Sequence, residues 1–116
     1  MAIELRGSKE FQAMLEKLLE KYPDVLDMAL DDTADVISLK AQQLVPVDTG
    51  RLRSSINVQR KYLSKSIGTN VEYAAHVEYG TPTGTGENGG PKPYLRPAFN
   101  NNQKKVAEFF IQNLGN

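Results

Sequence analysis

The feature that most constrains the fold is a change of hydrophobic period at Pro46. Upstream, Phe11, Met14, Leu15, Leu18, Leu19 and Tyr22 recur at i, i+3, i+4, i+7, i+8 and i+11, which gathers them on one stripe of an α-helix. Ser8 offers that helix an N-cap. Pro23 suits the first turn of a second helix, where a missing N–H costs nothing. Leu26, Ala29, Leu30, Thr33, Ile37, Ala41 and Leu44 then keep a similar period until Pro46 ends it.

Beyond Pro46, Asp48-Thr49-Gly50 is a turn signal, because the Asp and Thr side chains bond nearby backbone N–H groups and Gly permits positive φ. The period then becomes two. Ile56, Val58 and Tyr62 alternate with polar residues, as do Ile67, Thr69 and Val71, and then Tyr73, Ala75, Val77 and Tyr79. Three short strands in an antiparallel meander are the economical reading, connected by Leu63-Ser64-Lys65-Ser66 and by a bend across 68–72. Ile3 and Leu5 allow one short edge strand more. The stretch 80–93, GTPTGTGENGGPKP, is too rich in Gly and Pro for helix or central strand and reads as a flexible loop. Pro97 then opens a terminal helix with Phe99, Val106, Phe109, Phe110 and Leu114 on its stripe, expected to cover the sheet. The expected fold is α+β: two N-terminal helices, a three- to four-stranded mainly antiparallel sheet, a long Gly/Pro-rich loop and a C-terminal helix. Its 116 residues fit one domain, 1–116.

Several function classes are set aside by composition. No apolar run approaches the ~18 residues of a membrane span. The start, MAIELRGSKEF, lacks the basic and apolar blocks of a signal peptide, so the expectation is a cytosolic chain without a membrane partner. With no cysteine there are no thiolate zinc sites and no cysteine nucleophile. The formal net charge is zero, which hides an asymmetry of about −5 over residues 1–48 against about +5 over 49–116. Those charges pair within one chain or solvate it, or they join copies head to tail.

Candidate chemistry is sparse. Asp24, Asp27, Asp31 and Asp35 lie on one face of the second helix and serve as a solvated face, a contact for a basic neighbour, or a divalent-cation or catalytic carboxylate site. With no ligand loop and no histidine pattern beside them, no metal is expected, and no cofactor either. The glycines of 80–93 lack the Gly-Lys-Ser/Thr of a phosphate-binding loop. His76, the sole histidine, falls next to Glu78 on one face of the expected third strand, so a small hydrolase using that pair is one alternative. No serine sits in a Gly-x-Ser-x-Gly elbow to serve it. A second alternative is a small nucleic-acid-binding module, for which Arg51, Arg53, Arg60, Lys61 and Lys65 are the candidate DNA-facing residues.

Three motifs in order point elsewhere. Val45-Pro46-Val47-Asp48-Thr49-Gly50-Arg51-Leu52-Arg53-Ser54-Ser55-Ile56 resembles a "PVDTG-x-L-x-x-S" signature, Val71-Glu72-Tyr73-Ala74-Ala75-His76-Val77-Glu78-Tyr79-Gly80-Thr81 resembles "Y-A-x-x-V-E-[YF]-G-T", and Pro91-Lys92-Pro93-Tyr94-Leu95-Arg96-Pro97-Ala98-Phe99 resembles "P-x-P-[FY]-L-R-P-A". Together they resemble the small tail-component proteins of long-tailed bacteriophages and prophages, the Hong Kong 97-type family. The resemblance implies a non-enzymatic virion protein, assembled in the host cytoplasm, that serves as a tail-completion or head–tail joining (neck) subunit. It would form a homo-oligomeric ring around the DNA passage, with other neck or tail proteins as partners and loose contact with DNA in the lumen. The expected assembly residues are Glu78, Tyr79, Gly80, Thr81, Pro93, Tyr94, Leu95 and Arg96, with Pro46, Asp48, Thr49 and Gly50 as the turn. In this scheme residues 80–96 extend onto a neighbouring subunit, Tyr94 and Leu95 are apolar anchors there, and Arg96 meets an acid of that neighbour.

Overall fold

Pro23 divides the helical half of the chain and, having no N–H, leaves a gap in its backbone ladder. A computed structural model describes residues 2–4, 9–46, 50–80 and 91–115. In it α1 (Lys9–Lys21) and α2 (Pro23–Leu44) are separated by Tyr22 alone, which leaves helical geometry at φ −140° and ψ 62°. Tyr22 N still donates to Leu18 O at 2.8 Å and Leu26 N to Tyr22 O at 3.0 Å, so the change of direction falls at the residue preceding the proline. At the far end Val45 is extended, at φ −64° and ψ 134°, as a residue before proline prefers.

Helix α2 is the axis of the fold. Leu26, Ala29, Leu30, Thr33, Ala34, Ile37 and Ala41 are buried along it, and the alanines let its neighbours approach closely. Buried Thr33 returns its hydroxyl to Ala29 O at 2.7 Å. The hairpin of β2 (Asn57–Lys61) and β3 (Ser64–Gly68) packs on one side of α2. The helices α5 (Leu95–Asn102) and α6 (Lys105–Leu114) also pack against α2. It is therefore mainly α2 that covers the sheet, while the C-terminal part of the chain reaches it only where α5 touches the edge strand. The expected terminal helix is two, separated at Gln103 and Lys104, with Phe99, Val106 and Phe110 buried.

The sheet is antiparallel, in the order β1-β3-β2, with β1 (Ala2–Glu4) as the short edge strand that Ile3 suggested. In the hairpin Val58 faces Ile67, Arg60 faces Lys65 and Lys61 faces Ser64, so the turn is Tyr62-Leu63 and the expected connection 64–66 belongs to β3. Leu63 takes φ 63°, which side chains with a Cβ rarely adopt. Asp27 Oδ1 on α2 holds it there by accepting the Leu63 N–H at 2.7 Å.

Two expectations fail here. The alternation from Tyr73 to Tyr79 is not a third strand of a meander: Ala74–Tyr79 form the helix α4, with Ala74 and Glu78 buried four residues apart. The chain also does not pass from helix to sheet through a simple turn, because Gly50–Ser55 form the helix α3, which buries Leu52. Gly50 opens that helix rather than supplying positive φ, and Pro46 is half-buried before it. Asp48 and Thr49 of the turn motif, Ser8, and most of the 80–93 stretch including Thr81 lie outside the described residues.

Candidate functional site

The third motif brings its residues together through a helix that cannot cap itself. Helix α5 starts Tyr94, Leu95, Arg96, Pro97, with Tyr94 at the N-cap position and no side-chain cap of its own. The first four N–H groups of a helix have no partner within it. Pro97 has no N–H, which leaves three, on Tyr94, Leu95 and Arg96. Glu78, on α4, accepts all three: Oε1 from Tyr94 N at 3.2 Å and from Leu95 N at 2.8 Å, Oε2 from Arg96 N at 3.3 Å. The Arg96 Nε–H donates to the same Oε2 at 3.2 Å. The Glu78 carboxylate is 0% exposed. Its burial is offset by these four donors and by the positive end of the α5 dipole.

Around this cap the segment is tied to its own chain. Tyr94 and Leu95 are fully buried, and the Tyr94 hydroxyl donates to Ala74 O at 3.3 Å. Burial, and secondarily the Glu78 charge, push the Tyr94 phenol up to about 12. Lys92 N donates to Val77 O at 2.8 Å, so the backbone on either side of residues 81–90 is joined twice. Gly80 ends α4 at φ 86° and ψ 164°, a conformation that a side chain strains. The expectation that Tyr94 and Leu95 anchor on a neighbouring subunit is thus corrected: they are core residues here, and the acid met by Arg96 Nε is the chain's own Glu78. Pro93 is exposed. Tyr79 stays 58% exposed, with the Arg96 guanidinium stacked 4.9 Å from its ring centroid.

The proposed catalytic pair is separated by the same helix. Two positions apart on α4, Glu78 is buried and His76 is exposed, so they do not share a face as strand residues would. The carboxylate is already committed to backbone donors. This removes the basis of the hydrolase alternative.

The basic residues meet the acidic stripe within the chain. Lys65 is 3% exposed, and its ammonium has three acceptors: Asp27 Oδ1 at 2.7 Å, Asp31 Oδ1 at 3.3 Å and Lys61 O at 2.8 Å. That satisfies all three of its protons. Arg60 Nη1 contacts Asp31 Oδ1 at 2.9 Å and its Nη2 contacts Asp35, while the Tyr62 hydroxyl bonds Asp24. Every acid of the stripe therefore faces a donor from the hairpin. Burial pushes the Asp27 carboxyl up, but the Leu63 N–H and the Lys65 ammonium outweigh it and hold the group below 3.8. Arg51 is paired bidentately with Glu72, at 2.9 and 3.0 Å, and lies over the Tyr73 ring. Arg53 Nη2 donates to Val45 O at 3.0 Å. Of the five candidate DNA-facing residues, Lys61 alone is exposed without a side-chain partner among the described residues. The basic surface that a phosphate-binding module needs is largely neutralised.

Among the described residues no group of three or more His, Cys, Asp or Glu could hold a metal ion, and no helix is long and apolar enough to cross a membrane. Sequence reasoning missed the burial of Glu78. The available signal was a helix start, Tyr-Leu-Arg-Pro, with no Ser, Thr, Asp or Asn to cap it.

Compared with known families, residues 9–80 match the model described as "Bacteriophage HK97-gp10, putative tail-component". That span runs from the start of α1 to the end of α4 and includes the first two motifs. No curated protein and no solved structure matches the chain.

Proposed function

Because this chain belongs to the HK97-gp10 tail-component family of bacteriophages, we propose that it is a tail-completion or head–tail joining (neck) subunit that assembles with copies of itself into a ring around the DNA passage. The family match carries the coarser statement: a phage tail component, a structural role within the virion. The finer reading is supported by what the side chains do. Glu78 caps a helix, the acidic stripe and the hairpin neutralise one another, and exposed His76 does not share a face with buried Glu78, so the polar residues described build the chain rather than a reaction centre.

The exposed apolar residues support partners. Leu19, Tyr22, Met28, Leu39, Leu44, Tyr79, Ile111 and Leu114 are each more than two-fifths exposed and offer apolar surface to a partner. Neighbouring copies and other neck or tail proteins would cover them. In the ring, Lys61 and the exposed rim of the hairpin would make loose contact with DNA in the lumen. Assembly takes place in the host cytoplasm, before the particle is complete.

The test is solution mass by light scattering, across protein and salt concentration, with and without purified tail-tube or connector protein. The expected result is a discrete ring, or a monomer that assembles once a partner is added. A chain that stays monomeric with every neck and tail partner overturns the reading.

A further inference from the structure

Among the described residues, most charged groups that could reach a neighbour are already engaged. Asp24, Asp27, Asp31 and Asp35 face the hairpin, Asp32 accepts from Asn113 Nδ2 at 3.0 Å, and Glu72 is paired with Arg51. Several exposed lysines, among them Lys17, Lys21, Lys40 and Lys61, also have no side-chain partner among the described residues, but each is a single ammonium group held by nothing; two other features stand out. The first is Arg96: its Nε is held by Glu78, its plane is stacked on Tyr79, its side chain is 49% exposed, and its terminal nitrogens have no partner among the described residues. The guanidinium is thus fixed in place, with a two-nitrogen edge directed at solvent. The second is the outer face of α1, where exposed Glu16 and Glu20 are one helical turn apart and flank Leu19, itself 44% exposed. Neither glutamate has a partner among the described residues. Among the described residues Glu108 of α6 is also without one, but it is a single acid with no second carboxylate beside it.

We infer that the Tyr79–Arg96 pair of one copy receives the Glu16-Leu19-Glu20 face of α1 of the next copy, making a head-to-tail contact. The chemistry is complementary at each point. A guanidinium edge accepts a carboxylate bidentately. Stacking and the Glu78 bond remove much of the side-chain entropy that such a contact otherwise costs. The exposed part of the Tyr79 ring offers Leu19 an apolar surface, and tyrosine and arginine are the residue types that dominate interface energetics. With Glu78 behind it the guanidinium has little net field at long range, which favours a carboxylate fitted at close range over a polyanion attracted from afar. The two patches are different surfaces of the chain, so the contact is heterologous and propagates to a ring if its rotation closes.

This inference rests on the reading that the chain assembles with itself, and the experiment separates the two. Arg96→Gln keeps the backbone N–H bonded to Glu78, and the double variant Glu16→Lys/Glu20→Lys changes exposed groups with no partner among the described residues; circular dichroism and melting confirm the fold of both. Sedimentation at low salt should show self-association weakened roughly 10–100-fold in each. A mixture of the two, which restores one wild-type contact per pair, should give heterodimers that do not grow into rings. If the parent forms rings and both variants form them equally well, the inference is overturned and self-assembly stands. If the parent never self-associates, alone or with tail proteins, both are overturned. If Arg96→Gln loses DNA binding while the glutamate variant assembles normally, the occupant is a phosphate and the inference is again overturned.

Discussion

Replacing Glu78 with Ala tests the capping argument most directly. The substitution removes the acceptor of three backbone N–H groups, two of which, on Tyr94 and Leu95, belong to fully buried residues. An orphaned buried donor costs about 1–3 kcal/mol. The Arg96 donors lie closer to water and recover most of their hydration, so they add less than about 1 kcal/mol. Relief of the carboxylate's own desolvation works the other way. The expected net loss is about 3–5 kcal/mol, a large part of the roughly 5–15 kcal/mol that stabilises a domain. At about 4 °C per kcal/mol for a chain of this length, the melting temperature should fall by about 12–20 °C. Glu78→Gln should cost less, about 1–3 kcal/mol, because the amide oxygen still serves Tyr94 and Leu95 while its NH2 group confronts the Arg96 donors. Urea unfolding followed by circular dichroism, with the slope checked for constancy, measures both. A Glu78→Ala variant within about 0.5 kcal/mol of the parent, or a Gln variant worse than Ala, would refute the reasoning.

Other perturbations separate buried from surface electrostatics. Lys65→Met should cost about 2–4 kcal/mol in the same unfolding assay, because it leaves Asp27 and Asp31 facing each other without their ammonium, whereas Asp35→Asn on the exposed rim should stay within about 0.5 kcal/mol. The Asp27 carboxyl is lowered in the folded chain, so its contribution is complete above its unfolded value of 3.8 and is lost as pH falls through the lower folded value. Asp27→Asn should therefore flatten the pH dependence of stability below about pH 4, and an unchanged acid profile would count against the contact. Tyr94 is raised, so its contribution is complete below pH 10 and disappears as pH climbs through about 12. In an alkaline ultraviolet titration Tyr94→Phe should remove the last phenol to ionise, and its stability should fall less than the parent's between pH 10 and 12.

The long elements were legible in the sequence because many residues voted for one period. From Leu26 to Ala41 the helical spacing persists over four turns, and the burial pattern follows it. Alternation between Val58 and Ile67 located the hairpin, although its turn lies at Tyr62-Leu63 because Asp27 stabilises a backbone conformation that leucine does not signal. Short segments failed for a physical reason. Tyr73, Ala75, Val77 and Tyr79 fit a period of two, but Ala74 with Glu78 and Tyr73 with Val77 fit i, i+4 equally well over so few residues, and contacts from α5 decided between them. The partners of the acidic stripe were hidden because pairing between Asp27 and Lys65 spans 38 positions and depends on how the hairpin lies across α2. Glu78 was hardest to see. An acidic residue between Val77 and Tyr79 reads as surface, and only the uncapped start of a helix sixteen residues later gives it a reason to be buried.

The double tie between α4 and the start of α5 also bears on how such a chain can vary. Lys92 N on Val77 O and the Glu78 bonds to Tyr94, Leu95 and Arg96 fix the two points between which residues 81–90 run. With those points held by the rest of the fold, the length of chain spanning them is almost free to change: doubling a connection adds only about 0.6 kcal/mol of closure entropy. Insertions, deletions or an epitope tag placed within 81–90 should therefore leave melting nearly unchanged, while a single residue added between Val77 and Glu78, or between Pro93 and Leu95, would slip the register of the cap. The chain thus separates a stretch whose length can drift from one whose spacing cannot.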